Sequence, residues 1–372
     1  MRLRLALAFA AALALSPSKL VFGAELTYGS WPPAADWLNS HALPETFRRI
    51  EEATGGEVKW NLIPGGQLAG GVETFNAIQD GIMDAGLGIA TYVPNLLPSI
   101  ATLYGTVVPG NDPVAAAGAA AETVMLHCPS CLEEARKIDQ IPFAGYAGAP
   151  YVLMCREPIR TVEELKGKRI RASGASLNMM NMAGASVISA SLTDAVSLLQ
   201  RGGLDCVAGV GEWLRTFGYG DFAKYVTDFS FGVSAPAIAF MMNRDKWMAL
   251  SPEAKQAHLR SFGYLAAEMT ITNFIIRNQE AVQEQVAGNG VEIIQAGDDF
   301  AKLLADYQKE ELGINVEKAK GFGVEDPAAF IAAYKEAVEK WRAISAEVGL
   351  DVDKFAERMW EEIYSKVDPE AL

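Results

Sequence analysis

The sequence has little of what enzymes and metal centres are usually built from. Only three histidines (His41, His127, His258) occur in 372 residues, and no recognised catalytic phrase places any of them with an acid or a nucleophile. A Gly-x-Ser-x-Gly elbow, a phosphate-binding loop, a dinucleotide fingerprint and a His-Glu-x-x-His helix are all missing. Gly65-Gly66 and Gly70-Gly71 lack the Lys-Ser/Thr that a phosphate loop requires, and read as turn and helix-entry glycines. These absences favour a binding protein over an enzyme, with no cofactor and no metal. Basic residues are also in deficit, 32 against 46 acidic ones, for a formal charge of −14. Such a balance argues against nucleic acid or anionic lipid as partner. An anionic ligand must then be caught by a local cation against the field of the whole chain. Beyond the N-terminus no run reaches the roughly 18 apolar residues that suggest a membrane span, and there is no repeat or Pro/Ser-rich linker.

What is present begins with an export signal. Arg2 and Arg4 precede an apolar run from Leu5 to Leu15, and small residues follow near Gly23 and Ala24. Residues 1–23 are therefore expected to be removed, leaving a protein outside the cytoplasm with a formal charge of −17. The remaining length exceeds one usual core, so two domains are expected.

Strand and helix signals alternate. Strands are expected at 26–30, 58–63 and 85–89, with helices at about 36–52 and 72–79 between them. An Ala-rich helix should fill 113–137, a β-like stretch 142–155, and helix and strand alternate again over 161–210. Two strands, 226–231 and 237–243, look like connectors, and 252–285 forms a helix long enough to cross both domains. Three helices close the chain at about 298–311, 327–348 and 351–366. The pattern predicts an α/β fold of mainly parallel sheets flanked by helices. Domains joined without a flexible linker, through strands and one long helix, suit a hinge.

Two features bear on chemistry. Leu165-Lys-Gly-Lys-Arg-Ile-Arg171 places Arg171 at the end of a short strand, where a planar guanidinium can grip a carboxylate through two parallel charge-assisted hydrogen bonds. The competing reading is a surface Arg on an ordinary strand. Cys128-Pro-Ser-Cys131 has the spacing of a thiol–disulfide redox centre, but it follows a long helix rather than the first strand of a small domain. A structural disulfide within the pair is the expectation, with a secreted thiol–disulfide enzyme as the rival. Cys155 and Cys206 lie in or beside expected strands and pair if those strands are adjacent. A zinc site on the four thiols, or on three of them with His127, is a weaker alternative because the second pair is not clustered.

A set of phrases in order resembles the solute-binding proteins of tripartite ATP-independent periplasmic (TRAP) transporters, the DctP-like group. They are Thr54-Gly-Gly-Glu-Val-Lys-Trp60, Ile63-Pro-Gly-Gly-Gln-Leu68, Gln79-Asp-Gly-Ile-Met-Asp84, Thr161 to Arg171, Leu199-Gln-Arg-Gly-Gly-Leu-Asp205 and Asn243-Arg-Asp-Lys-Trp247. The resemblance implies a periplasmic receptor, expected to be monomeric, of two domains: 24–148 with 236–275, and 149–235 with 276–372. A cleft between them would close on a small carboxylate, for delivery to a membrane permease. It gives Arg171 the carboxylate. Where many members carry a second Arg this chain has Tyr151; a polar Asn becomes Gly209, and positions often Glu and Arg become Ile89 and Tyr92. Leu192 replaces a residue that is often aromatic, and Trp31 ends the first strand. With Trp213 nearby, one strong cation would face largely apolar walls, which implies a monocarboxylate with an apolar or aromatic body. A C4-dicarboxylate or keto acid is the alternative within the family. Glu212 reads as a solvated acid at a helix start, or else as a partner for a ligand hydroxyl or cationic group.

Overall fold

The computed structural model describes residues 23–108 and 110–372, so the expected signal segment falls almost wholly outside them. Eleven strands form two sheets among the described residues. In chain order they are β1 (Ala24–Gly29), β2 (Val58–Ile63), β3 (Ala85–Gly88), β4 (Gln140–Tyr146), β5 (Val152–Cys155), β6 (Arg169–Arg171), β7 (Ser186–Ile188), β8 (Cys206–Gly209), β9 (Tyr225–Asp228), β10 (Ala237–Asn243) and β11 (Glu292–Gln295).

The first sheet runs β2-β1-β3-β10-β4 and the second β11-β9-β5-β8-β6-β7. Each is mainly parallel, as expected, with one strand reversed: β10 runs antiparallel to β3 and β4, and β5 to β8 and β9. The reason is connectivity. The chain leaves the first sheet at β4, enters the second at β5, and returns from β9 to β10. What reads in sequence as one β-like stretch from 142 to 155 is two strands in different sheets. The two crossings run side by side and are bonded to each other: the Tyr151 N–H donates to the Gly232 carbonyl at 3.0 Å, and the Phe231 N–H to the Tyr151 carbonyl at 2.9 Å. A third link is the continuous helix 252–288, whose middle, Glu268–Arg277, is wound as a π-helix.

The Ala-rich segment breaks at Cys128, because Pro129 starts a new helix, Pro129–Lys137. Its first part, Pro113–Glu122, is buried on every side, as a helix without a polar face must be. Helix Pro327–Val348 packs on it so closely that Trp341 lies over Gly118. Val352–Glu362 packs on the helix Pro252–Ala267. Tyr364, Pro369 and Glu370 reach residues Ala144, Trp247 and Lys255. Residues 327–372, expected with the second domain, thus cover the helices and strands of the first sheet. The fit of Trp341 over Gly118 is one of the contacts that hold them there, and no local pattern announces it.

Both cysteine pairs are bridged. Cys128–Cys131 closes a helix start, and Cys155–Cys206 joins directly opposed residues of β5 and β8. The four thiols are therefore not available as zinc ligands.

Candidate functional site

The helix and both crossings bound a cavity between the two sheets. Seven of the residues singled out from sequence line it: Trp31, Ile89, Tyr92, Tyr151, Arg171, Leu192 and Trp213. Its volume is about 50 Å3, room for about four waters at roughly 10–15 Å3 each.

Arg171 ends β6, which is held between β7 and β8, and is 1% exposed. The strand start is fixed by Arg169, whose guanidinium makes two bonds to Asp205, at 3.0 and 2.6 Å; this accounts for the Gly-Gly-Leu-Asp205 phrase. The Arg171 Nε donates to the Ala190 carbonyl at 2.9 Å, and Nη2 to the Tyr92 hydroxyl at 3.4 Å. Among the described residues its Nη1 is buried with no hydrogen-bond partner, and no carboxylate pairs with the side chain. An unpaired buried guanidinium costs several kcal/mol in order of magnitude, and an anion is what relieves it. Ser173, at the N-terminus of helix Gly174–Met182, lies on the same wall and adds the positive end of that helix dipole.

The aromatic wall is built from both sides. Tyr92, at the end of the short helix Ala90–Tyr92, accepts from the Leu192 N–H at 3.2 Å as well as from Arg171, so one hydroxyl ties the first sheet's side to the second's. The Tyr219 hydroxyl fixes the Leu192 carbonyl at 2.6 Å. The Tyr151 and Tyr104 hydroxyls share a hydrogen bond of 2.6 Å. The Trp31 indole donates to the Leu87 carbonyl and stacks near Phe217. Trp213 meets Tyr151 edge-on, with the Arg171 guanidinium 5.6 Å from its ring centre.

Two singled-out residues are not in the wall. Gly209 lies behind Trp213, and a Cβ there would stand 1.9 Å from the ring. It acts by letting the indole lie flat over the end of β8. Glu212 is not a solvated acid. It is 2% exposed, its backbone N–H donates to the Asn278 side chain at 2.8 Å, and it accepts from the Thr216 hydroxyl. Burial, with Asp36 adding repulsion, pushes its carboxyl up to about 8 despite that hydroxyl and the nearby Arg215 and Arg277.

Sequence reasoning missed other lining groups: Asp36, Tyr104, Tyr146, Ser173, Phe217, Met269 and Phe274. Asp36 is 7% exposed, and its Oδ1 accepts the Leu38 N–H at 2.8 Å. Burial pushes it up to about 6, only partly offset by that bond and by Arg277. A Trp-Pro-Pro ending followed by an acid two residues before a helical run gave the one available signal, and it pointed to a helix start. Tyr146 and Phe274 stack at 5.6 Å and join the end of β4 to the long helix. The cysteines of the first bridge lie away from this wall, 1% and 0% exposed, which leaves the thiol–disulfide enzyme without support.

The sequence matches the family model described as bacterial extracellular solute-binding protein, family 7 (DctP), over residues 40–312. A monocarboxylate 2-oxoacid-binding periplasmic protein of Nostoc sp. is 24% identical over 327 residues, 86% of this chain and 83% of that one. Among solved structures, a TRAP periplasmic solute-binding protein of Bordetella bronchiseptica with bound (R)- and (S)-mandelate is similar at TM-score 0.71 and 24% identity, covering 85% of this chain and 99% of that chain. One from Rhodoferax ferrireducens, in complex with copurified benzoate, is similar at TM-score 0.75 and 16% identity, covering 87% and 99%. The chain belongs to this family of bacterial extracellular solute-binding proteins.

Proposed function

We propose that this member of the family is the periplasmic receptor of a TRAP transporter and captures a small monocarboxylate with an apolar or aromatic body through Arg171. It then hands the acid to a membrane permease. The observation that carries the reading is the buried Nη1 of Arg171, without a partner, on a side chain that lines a cavity walled by Trp31, Tyr92, Tyr151 and Trp213. A carboxylate there would accept from Nη1 and pair with a guanidinium that no described carboxylate bridges. No second cation lines the cavity among the described residues, and a second carboxylate would share it with Asp36. Dicarboxylates are thereby disfavoured. A sugar acid would bring hydroxyls that such walls leave unpaired, at roughly 1–3 kcal/mol each. The relatives support the class: 2-oxoacids, mandelate and benzoate are all monocarboxylates with little other polarity.

The test is a thermal-shift and calorimetric series of benzoate, mandelate, short 2-oxo acids, succinate and glucuronate. Members of the first three groups are expected to raise the melting temperature by mass action, and the last two to leave it unchanged. Arg171→Ala is expected to lose the shift, about a 100-fold or greater fall in affinity, with the circular dichroism spectrum retained. Tight binding by that variant rejects the assignment.

A further inference from the structure

The polar inventory of the cavity is uneven. On one side stand Arg171, Ser173 and the hydroxyls of Tyr92, Tyr104 and Tyr151. On the other, among Leu38, Tyr146, Met269 and Phe274, the only charged group among the described residues is Asp36. It comes from the loop after β1, and Arg171 from β6 of the opposite sheet. No ion pair or hydrogen bond joins Asp36 to Arg171 among the described residues, and the charged groups near Asp36 are Arg277 and Glu212.

Asp36 has one hydrogen bond to its carboxylate, from the Leu38 N–H to Oδ1, and no ion pair among the described residues. Arg277 offers no closer help. Its guanidinium is spread over the Trp37 ring at 4.3 Å, and its Nε is itself buried without a partner. The Asp36 Oδ1 is served by the Leu38 N–H, and no described residue donates to Oδ2, on a side chain that lines the cavity. An acceptor left free on a cavity wall is one that a ligand donor can meet.

We propose that Asp36 reads a single hydroxyl on the far side of the ligand from its carboxylate, so that the substrate is a hydroxylated monocarboxylic acid whose apolar body spans from Arg171 to Asp36. The inference rests on the reading of Arg171 given above and narrows it. Donor count separates a hydroxyl from an ammonium. A hydroxyl has one proton to place and Oδ2 takes it. An ammonium has three, and no acidic group but Asp36 lines that side. The role belongs to Asp36 and not to Glu212, whose carboxyl accepts from Thr216 and lies outside the wall.

Matched pairs test this. Affinities are measured by calorimetry for benzoate against 3- and 4-hydroxybenzoate, and for phenylacetate against its 3- and 4-hydroxy forms, with 3-(aminomethyl)benzoate as the ammonium arm. At least one hydroxylated isomer is expected to bind the native chain about 10- to 100-fold more tightly than its parent, the range for a hydrogen bond to a charged group. In Asp36→Ala that ratio is expected to fall to about one, and in Asp36→Asn, which keeps an acceptor, to an intermediate value. Equal binding of parent and hydroxylated acids by the native chain overturns the proposal, and needs no variant to fold. So does a ratio that survives in Asp36→Ala, or a preference for the ammonium. If parents and hydroxylated acids alike fail to bind the native chain, the Arg171 reading falls and takes this one with it.

Discussion

The carboxyl of Glu212 is a buried acid held mostly protonated at neutral pH by burial and by its neighbour Asp36, up to about 8. The folded state binds that proton more tightly than the unfolded chain, whose carboxyl titrates at its ordinary value of 4.5. Its contribution is therefore complete below about pH 4.5 and is lost as pH rises through about 8. Glu212→Gln, which keeps an acceptor for Thr216, is expected to raise the melting temperature by several degrees near pH 8 and to lose that advantage near pH 5. Thermal melts across this range check it, and parallel curves for the two proteins would mean that the group does not titrate there. Residues of this kind mark where sequence stops being legible. Arg171 could be found because a strand-terminal Arg has few other uses. Glu212 and Asp36 look like ordinary helix-start acids until the tertiary fold removes the water.

At the scale of elements, the helix Pro113–Glu122 shows how packing overrules propensity. Gly118 sits mid-helix, where an Ala would ordinarily gain about 1 kcal/mol. A Cβ there would stand 2.1 Å from the Trp341 ring, whose indole N–H is anchored on Glu122. Gly118→Ala is thus expected to destabilise by about 1–3 kcal/mol, the usual cost of overpacking, seen as a lower denaturation midpoint. A midpoint that rises would show that the helix Pro327–Val348 yields easily. Most strands and helices were legible, because alternation and caps are local. Their partners were not. The stretch 142–155 reads as β-like, and although Gly148 and Pro150 mark a break, they do not tell that Tyr146 ends in one sheet and Val152 begins in another. The bridge of Cys155 to Cys206 could be foreseen only conditionally, since it depends on β5 and β8 being neighbours.

The whole molecule sets a negative field against the ligand it is proposed to take, with a formal charge of −14. Long-range repulsion slows the approach of an anion and is screened by salt, while contacts inside a closed cavity are screened far less. Benzoate association, followed by rapid mixing, is expected to speed up several-fold between about 10 mM and about 500 mM salt, with dissociation nearly constant. A rate that falls with salt would mean that Arg171 and the dipole of helix Gly174–Met182 dominate at the cleft mouth.

Two of the seven tryptophans, Trp31 and Trp213, belong to the cavity wall, the second with a guanidinium 5.6 Å from its ring. Both are already buried, so an anion taken up at Arg171 as proposed would act on that indole chiefly through its electric field. The protein would then carry its own optical gauge, the colour and yield of its ultraviolet emission counting occupancy with no dye attached.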